Sequence, residues 1–217
     1  RQMCIRDRPD AQTMLIERPP ICFRLTVPGG LFRRHEPGHQ HAVYLTFDDG
    51  PIPEVTPWVL DVLDRYGIKA TFFMVGDNVR KHPDVYEEVV RRGHRIGNHT
   101  MHHVSGFRLT RRSYLRDVAE ARQYIDSDLF RPPHGWLRPR QTWALHEQFR
   151  VVMFDLVTRD YSKWMRAQDV VRNVKLFARD GSVIVFHDSL KSWPRLQEAL
   201  PKALEWLIAQ GYEFRLL

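Results

Sequence analysis

VYLTFDDGP, residues 43–51, places a run of strand-forming residues directly before two adjacent carboxylates, Asp48 and Asp49, and a Gly-Pro turn signal. Asp-Gly-Pro is common at the ends of strands, and a turn needs only one acidic residue. Two adjacent carboxylates therefore allow a second interpretation, in which one holds a cation and the other stays free as a base. That interpretation requires partner residues elsewhere in the chain.

From residue 42 onward, short β-rich segments alternate with longer segments whose apolar residues recur at helical spacing. The predicted strands are VYLTF, ATFFMV, HRIGN, LFRPP, VVMFDLV, SVIVFH and YEFRLL. The predicted helices are EVTPWVLDVLDRYG, DVYEEVVRRG, TRRSYLRDVAEARQYI, RPRQTWALHEQF, AQDVVRNVKLFARDG and LQEALPKALEWLIAQG. This alternation predicts an α/β fold with a parallel sheet, either open and doubly wound or closed into a barrel.

In both of these architectures ligands bind at the carboxyl ends of the strands, and polar residues gather there in this sequence. Beyond the two aspartates, NHTMHH follows the third predicted strand, RPPHG the fourth, TRDY the fifth and HDS the sixth. His99 and His103 are four residues apart, so one helical turn would put both imidazoles on the same side for one metal ion. His102 remains an alternative ligand.

Length and composition favour a single domain, because 217 residues with 43% hydrophobic content can bury one sizeable core. We expect an N-terminal arm over residues 1–42 and the domain over residues 43–217. No segment approaches the roughly 20 apolar residues of a membrane span, and the two cysteines are too few for a disulfide framework or a cysteine-based zinc site. The chain begins with Arg, so we expect a fragment that lacks its targeting signal, and whether the first nine residues are native stays open.

The formal charge of +7 and the pI of about 9.7 suit an anionic partner, such as nucleic acid, a membrane surface or an acidic wall polymer. The basic residues are scattered in short pairs, and the sequence contains no nucleic-acid motif and no long basic helix. We therefore expect no nucleic-acid role. The sequence leaves the oligomeric state open.

Five motifs, TFDDGP, HTMHH, FRPPHG, TRDY and VFHD, resemble in this order those of the NodB-homology polysaccharide deacetylases, carbohydrate esterase family 4. The resemblance covers about residues 43–217. It implies a distorted (β/α)7 barrel, which agrees with the seven predicted strands. It also implies metal-dependent removal of acetyl groups from N-acetylated sugars, or in some members O-acetylated ones, of a polysaccharide such as peptidoglycan or chitin oligosaccharide, and it favours the cell envelope or periplasm as the location.

The resemblance also implies roles for individual residues. Asp49, His99 and His103 match the ligands of one divalent cation, expected to be zinc, with cobalt, nickel or manganese as alternatives. Asp48 matches the catalytic base and Arg131 its orienting partner. His187 matches the general acid and Asp160 the residue that tunes its pKa. We expect the Arg131 charge to keep Asp48 ionised.

The sequence departs from the family pattern at three substrate-binding positions. His134 replaces a common Tyr, Tyr161 a common Trp and Val185 a common Leu, which puts substrate preference rather than reaction class in doubt.

Three further aromatic residues, Trp136, Trp164 and Trp193, fall in the fourth, fifth and sixth βα loops, where they predict an open groove that binds sugar faces. Ordinary loop packing is the alternative. Two rival functions remain, a hydrolase of small amides or cyclic imides and a non-catalytic glycan-binding protein.

Overall fold

The structure of the protein is a computed structural model that describes residues 17–36, 38 and 41–217. The first nine residues, whose native origin the sequence leaves open, lie outside the described residues. The strands are β1 (Ala42–Asp48), β2 (Thr71–Met74), β3 (Arg95–Asn98), β4 (Leu129–Phe130), β5 (Arg150–Val151), β6 (Leu156–Val157), β7 (Ser182–His187) and β8 (Glu213–Phe214). The α-helices are α1 (Ile21–Leu25), α2 (Thr56–Arg65), α3 (Gly76–Lys81), α4 (Pro83–Arg91), α5 (Arg111–Ala121), α6 (Pro139–His146), α7 (Ala167–Phe177) and α8 (Trp193–Ala209).

The sheet has the strand order β5-β4-β3-β2-β1-β7-β6, and β8 pairs with the start of β1. All the strand pairs are parallel. The two outer strands of this order, β5 and β6, are consecutive in the chain and joined by residues 152–155, so the sheet curls back on itself. The predicted α/β class and distorted (β/α)7 barrel are confirmed.

The structure divides one predicted strand, VVMFDLV, between β5 and β6, because the N-terminal arm takes over its hydrogen bonds. Leu31 donates its N–H to the Val151 carbonyl at 2.9 Å, and its own carbonyl accepts from Met153 at 2.8 Å. Asp155 lies two residues further on and is fully buried. The six predicted helices are all present, whereas α1 and α3 are additional.

The central strand β1 is buried on both faces, as expected for a parallel strand inside an α/β protein. Val43, Leu45 and Phe47 pack in the largest hydrophobic cluster, which includes residues of α2, α7 and α8. Tyr44 belongs to a separate cluster, with Phe73 and other strand residues. Since side chains alternate along a strand, Asp48 extends from the same face as Tyr44 and not from the face that packs on the helices.

The described part of the N-terminal arm packs on the barrel. Val27 and Phe32 are buried in a cluster with residues of β4 and β5. Arg24 forms an ion pair with Asp155 at 2.7 Å, and Glu17 forms one with Arg159 at 2.8 Å. The domain boundary near residue 42 stays a prediction.

Among the described residues, none of the helices has both the length and the apolar composition that crossing a membrane requires.

Candidate active site

A cavity of about 370 Å³ lies at the carboxyl ends of the strands, where the sequence predicts the site. Its walls come from βα loops that are far apart in sequence. The lining residues are Asp48, Asp49, His99, His103, Arg131, Pro132, His134, Gly135, Phe154, Val157, Tyr161, Val185, His187, Ser189 and Lys191.

Three side chains in the cavity form a candidate metal centre. The Asp49 Oδ1 atom lies 3.0 Å from His103 Nε2 and 3.7 Å from His99 Nε2. One donor atom from each of these residues lies within 4.8 Å of the others. Ligand atoms of a tetrahedral zinc site, with bonds of about 2.1 Å, lie roughly 3.4 Å apart. The donor set and its spacing therefore fit a divalent cation with three protein ligands.

The two histidines converge through an irregular loop, so the expectation of a helical turn between them is wrong. Residues 99–103 contain no helix, and Thr100 and His103 have positive φ angles of 67° and 52°. These left-handed residues fold the loop back so that His103 meets Asp49. The alternative ligand His102 instead places its Nδ1 atom 2.6 Å from an Asp117 oxygen, outside the cluster.

His99 is oriented for metal binding by its second ring nitrogen. Its Nδ1 lies 2.7 Å from the carbonyl oxygen of Arg131, so it donates its proton there and leaves Nε2 free as a ligand. Burial lowers the pKa of His99 well below its usual range, which keeps the imidazole neutral. Burial would raise the pKa of Asp49, but the hydrogen bond from His103 and the charges of the surrounding imidazoles together lower it. Both groups are therefore in the protonation state that a cation needs.

Asp48 and Arg131 form a buried ion pair beside this cluster. Arg131 Nη1 lies 2.6 Å from Asp48 Oδ1 and 2.8 Å from Thr46 Oγ1, and Nη2 donates to the Met153 carbonyl at 2.9 Å. Burial raises the pKa of Asp48, and the Arg131 charge only opposes that shift. The Arg131 charge thus favours the ionised form of Asp48, as the sequence led us to expect, but it does not reverse the effect of burial on the pKa. A raised pKa suits a general base near neutral pH.

His187 lines the cavity and pairs with Asp160, which is buried behind it. Asp160 Oδ1 lies 2.8 Å from His187 Nδ1, and its Oδ2 accepts the His187 backbone N–H at 2.8 Å. Burial alone would lower the pKa of His187, but the Asp160 carboxylate, together with the charges of Asp49 and Asp48, raises it to about 9. Residue 187 pairs in register with Asp48 across β1 and β7. The cavity thus holds a protonated acid on the strand next to the candidate base.

The three positions that depart from the family pattern line the cavity. The His134 ring packs edge-on against His103 at 4.8 Å between centroids, and the Tyr161 ring packs edge-on against His187 at the same distance. Burial lowers the pKa of His134 to about 4, so it is neutral. Val185 is buried within β7. Their part in substrate binding stays a prediction.

None of the three predicted groove tryptophans is among the described residues that line the cavity. Trp193 packs edge-on against Trp58 and on the main core, and Trp136 packs against Phe23 and Phe107. These contacts match the alternative of ordinary packing. Trp164 is 67% exposed, and its role in a sugar-binding groove stays a prediction.

Several residues around the site have structural contacts that the sequence did not predict. Asp188, Thr56 and Asn78 bind the turn that carries Asp49. Asp188 directly follows His187 in the VFHD motif, which was a usable signal, whereas Thr56 and Asn78 carried none. Lys191 lines the cavity from the β7–α8 loop.

Comparison with known proteins identifies the family. A family model described as polysaccharide deacetylase matches residues 35–152.

The chain belongs to the polysaccharide deacetylase family.

The matched residues of this deacetylase include the candidate metal ligands, Asp48 and Arg131, and end before Asp160 and His187. A peptidoglycan-N-acetylglucosamine deacetylase of Bacillus cereus is 31% identical over 86% of this chain and 91% of its own. A chitooligosaccharide deacetylase of Sinorhizobium fredii is 36% identical over 68% of this chain and 72% of its own. Like these relatives, the chain is a hydrolase that removes acetyl groups from acetylated sugars.

The crystal structure of the Bc1960 peptidoglycan N-acetylglucosamine deacetylase, solved with an N-hydroxybenzamide compound, has the same fold. It superposes with a TM-score of 0.82 at 29% identity and covers 92% of this chain and 95% of its own. The deacetylase family is metal-dependent, and the Asp49, His99 and His103 cluster supplies a candidate site for the metal.

Proposed function

We propose that this deacetylase hydrolyses the N-acetyl group of glucosamine units in a cell-wall glycan of the peptidoglycan class, and that it acts in the cell envelope. One observation carries the proposal. One cavity is lined by three candidate cation ligands, by a buried acid–arginine pair and by a histidine that pairs with a buried aspartate. Amide hydrolysis needs these parts together: an activated water, a base and an acid for the leaving nitrogen.

Asp49, His99 and His103 would hold the cation. When bound, it supplies Lewis acidity, which makes water a stronger acid and polarises the acetyl carbonyl. Two imidazoles and one carboxylate suit zinc first, and cobalt, nickel or manganese as alternatives.

Asp48 accepts the proton of the attacking water. Arg131 holds this carboxylate in place through the 2.6 Å ion pair and is itself fixed by two backbone carbonyls, those of Val152 and Met153. A backbone N–H of the RPPHG loop near His134 would stabilise the developing negative charge on the acetyl oxygen.

His187 donates a proton to the sugar nitrogen as the carbon–nitrogen bond breaks, so that a neutral amine leaves. Asp160 keeps the imidazole charged and fixes its Nδ1 atom, which leaves Nε2 to face the substrate. The products are acetate and a free amino sugar.

The cavity mouth supports an anionic glycan as substrate. The Lys191 ammonium lies 5.4 Å from the centroid of the Tyr161 ring, and that ring packs on His187. Among the residues that the structure describes, no carboxylate forms an ion pair with Lys191. This positive charge at the cavity is available for an acidic group on the glycan.

The test combines metal analysis with acetate release. His99→Ala and His103→Ala should lose most of the bound zinc and nearly all activity, whereas His102→Ala, which removes a neighbouring imidazole outside the cluster, should keep both. Full metal content and activity in the first two variants would show that the ligand assignment is wrong.

A substrate panel distinguishes the rival functions. Acetate release should be fastest from peptidoglycan fragments, slower from chitooligosaccharides and acetylxylan, and cyclic imides should not be opened. Faster turnover of cyclic imides, or binding of glycans with no hydrolysis by the zinc-loaded protein, would favour the alternatives instead.

A further inference from the structure

The turn that carries Asp49 is held by three side chains that have no part in the proposed chemistry. Asp49 has a φ angle of 84°, in the left-handed region that residues other than glycine rarely adopt. Such a conformation persists only where the surrounding structure imposes it. The contacts of residues 48–52 show what imposes it here.

Asp188 binds the turn on both sides of Asp49. Its backbone N–H donates to the Asp48 carbonyl at 3.1 Å, and its Oδ1 accepts the Gly50 N–H at 3.1 Å. Asp188 is fully buried, and a Cβ atom added at Gly50 would overlap its carboxylate. The carboxylate therefore contacts the turn directly, which explains why residue 50 is a glycine.

Thr56 extends this contact by one residue. Its hydroxyl donates to Asp188 Oδ2 at 2.6 Å and accepts the Ile52 N–H at 2.8 Å. Thr56 is completely buried at the start of α2. The hydroxyl thus links the far end of the turn to the same carboxylate.

Asn78 holds the carbonyl of Asp49 itself. Its side-chain amide, on α3, donates to that oxygen at 2.8 Å. The backbone N–H of Val75, just before α3, also donates to the Gly50 carbonyl at 2.9 Å. The turn is therefore fixed from the β7–α8 loop, from α2 and from α3.

We infer that Asp188, Thr56 and Asn78 are positioning residues that hold Asp49 in its metal-binding conformation and thereby set the affinity for the cation. The inference rests on the metal site of the proposed function. Groups that hydrogen-bond to a metal ligand commonly contribute 10- to 100-fold to metal affinity. Asn78 bonds to Asp49 itself, whereas Asp188 and Thr56 act through the turn that carries it.

The Thr56 hydroxyl gives the sharpest test, because valine matches the shape of threonine without the hydrogen bonds. Thr56→Val should raise the zinc dissociation constant about tenfold or more, and Thr56→Ser, which keeps the hydroxyl, should restore it. Zinc affinity is measured by competition with a chromophoric chelator, at a temperature well below the unfolding midpoint of each metal-free variant.

Asn78 provides a second variant at a partly exposed position, where folding is less at risk. Asn78→Ala should weaken zinc binding by a similar factor. Asn173→Ala is the matched control, since Asn173 also donates its side-chain amide to a loop carbonyl, that of Thr158, in a loop without a candidate metal ligand. The control should bind zinc like the parent protein.

The outcomes separate this inference from the proposed function. If the parent protein binds zinc and the His99→Ala variant does not, yet Thr56→Val and Asn78→Ala match the parent, the inference fails and the proposed site stands. Equal loss in Asn173→Ala would also overturn it, because the effect would then reflect general loosening. If the parent protein does not bind zinc, both fail.

Discussion

At the scale of single residues, the adjacent carboxylates Asp48 and Asp49 lie in different environments although they are neighbours in the chain. Asp48 is the last residue of β1 and is buried against the Arg131 guanidinium. Asp49 follows in a left-handed conformation and faces two imidazoles. The strand end and the backbone twist together separate a candidate base from a candidate ligand.

Replacing the base should separate metal binding from turnover. Asp48→Asn keeps the side-chain shape but removes the proton acceptor, so we expect the zinc content of the parent and a 10²- to 10⁴-fold loss of acetate release. Metal analysis and a turnover assay on the same preparation measure both quantities. A variant that retains zinc and deacetylates at the parent rate would exclude Asp48 as the base.

The acid should set the alkaline limit of activity. His187 must be protonated to act, and its protonated fraction falls as the pH rises through its pKa of about 9. A cation in the same cavity lowers that pKa, so activity should decline at or below about pH 9. Asp160→Asn removes the charge that raises the pKa, so the decline should move to lower pH.

The control for this profile is an O-acetyl ester, whose leaving group needs less help from a proton. Its alkaline decline, and its loss of rate in His187→Ala, should be weaker than those of the N-acetyl amide. Equal losses on both substrates would argue against His187 as the leaving-group acid.

At the scale of elements, the segment between β5 and β6 closes the barrel and anchors the N-terminal arm. Asp155 lies in it, fully buried, and accepts hydrogen bonds from Arg24, Arg179 and the Ser182 hydroxyl. Burial alone would raise the pKa of Asp155, but these partners lower it to about 2. Its stabilising effect is therefore present above the unfolded-state pKa near 3.8 and is lost as the pH falls towards 2.

Removing this charge should loosen the closure. Asp155→Asn leaves three arginines, Arg24, Arg33 and Arg179, without their buried partner, and we expect the free energy of unfolding at pH 7 to fall by about 3 kcal/mol. Urea unfolding measures the change. The control, Glu198→Gln in the exposed pair with Lys202, should change it by less than about 0.5 kcal/mol. If the two variants unfold alike, the network does not hold the closure.

At the scale of the whole molecule, the protein has a net charge of +7, and we expect Lys191 at the cavity to contribute most to the attraction of an anionic glycan. The Michaelis constant for an anionic glycan should rise with salt, because the screening length falls from about 10 Å at 0.1 M to about 3 Å at 1 M. A neutral chitooligosaccharide should show little change.

Charge-matched variants locate this effect. Lys191→Gln should reduce the salt dependence, whereas Lys175→Gln, which removes an equal charge from α7 outside the cavity, should leave it nearly intact. If both variants respond alike, net charge rather than the cavity mouth is responsible.

Much of this architecture follows from local sequence. Apolar periodicity predicts the strands and the six longer helices, because burial on one or both faces leaves a pattern over a few residues. The carboxyl ends of parallel strands meet at one edge, so polar residues after the strands predict a shared site. Periodicity does not predict the shortest helices. Helices α1 and α3 are only five and six residues long, which is too short for a periodic pattern.

Local patterns of residues are enough to predict the α/β class, the position of the site and the residue types that gather there. How these residues meet depends on tertiary contacts. His103 reaches Asp49 through left-handed residues, burial rather than Arg131 sets the direction of the Asp48 pKa shift, and Trp193 packs in the core. Each of these depends on contacts between segments far apart in the chain, and the free energy of such contacts leaves no periodic trace in the residues of either segment.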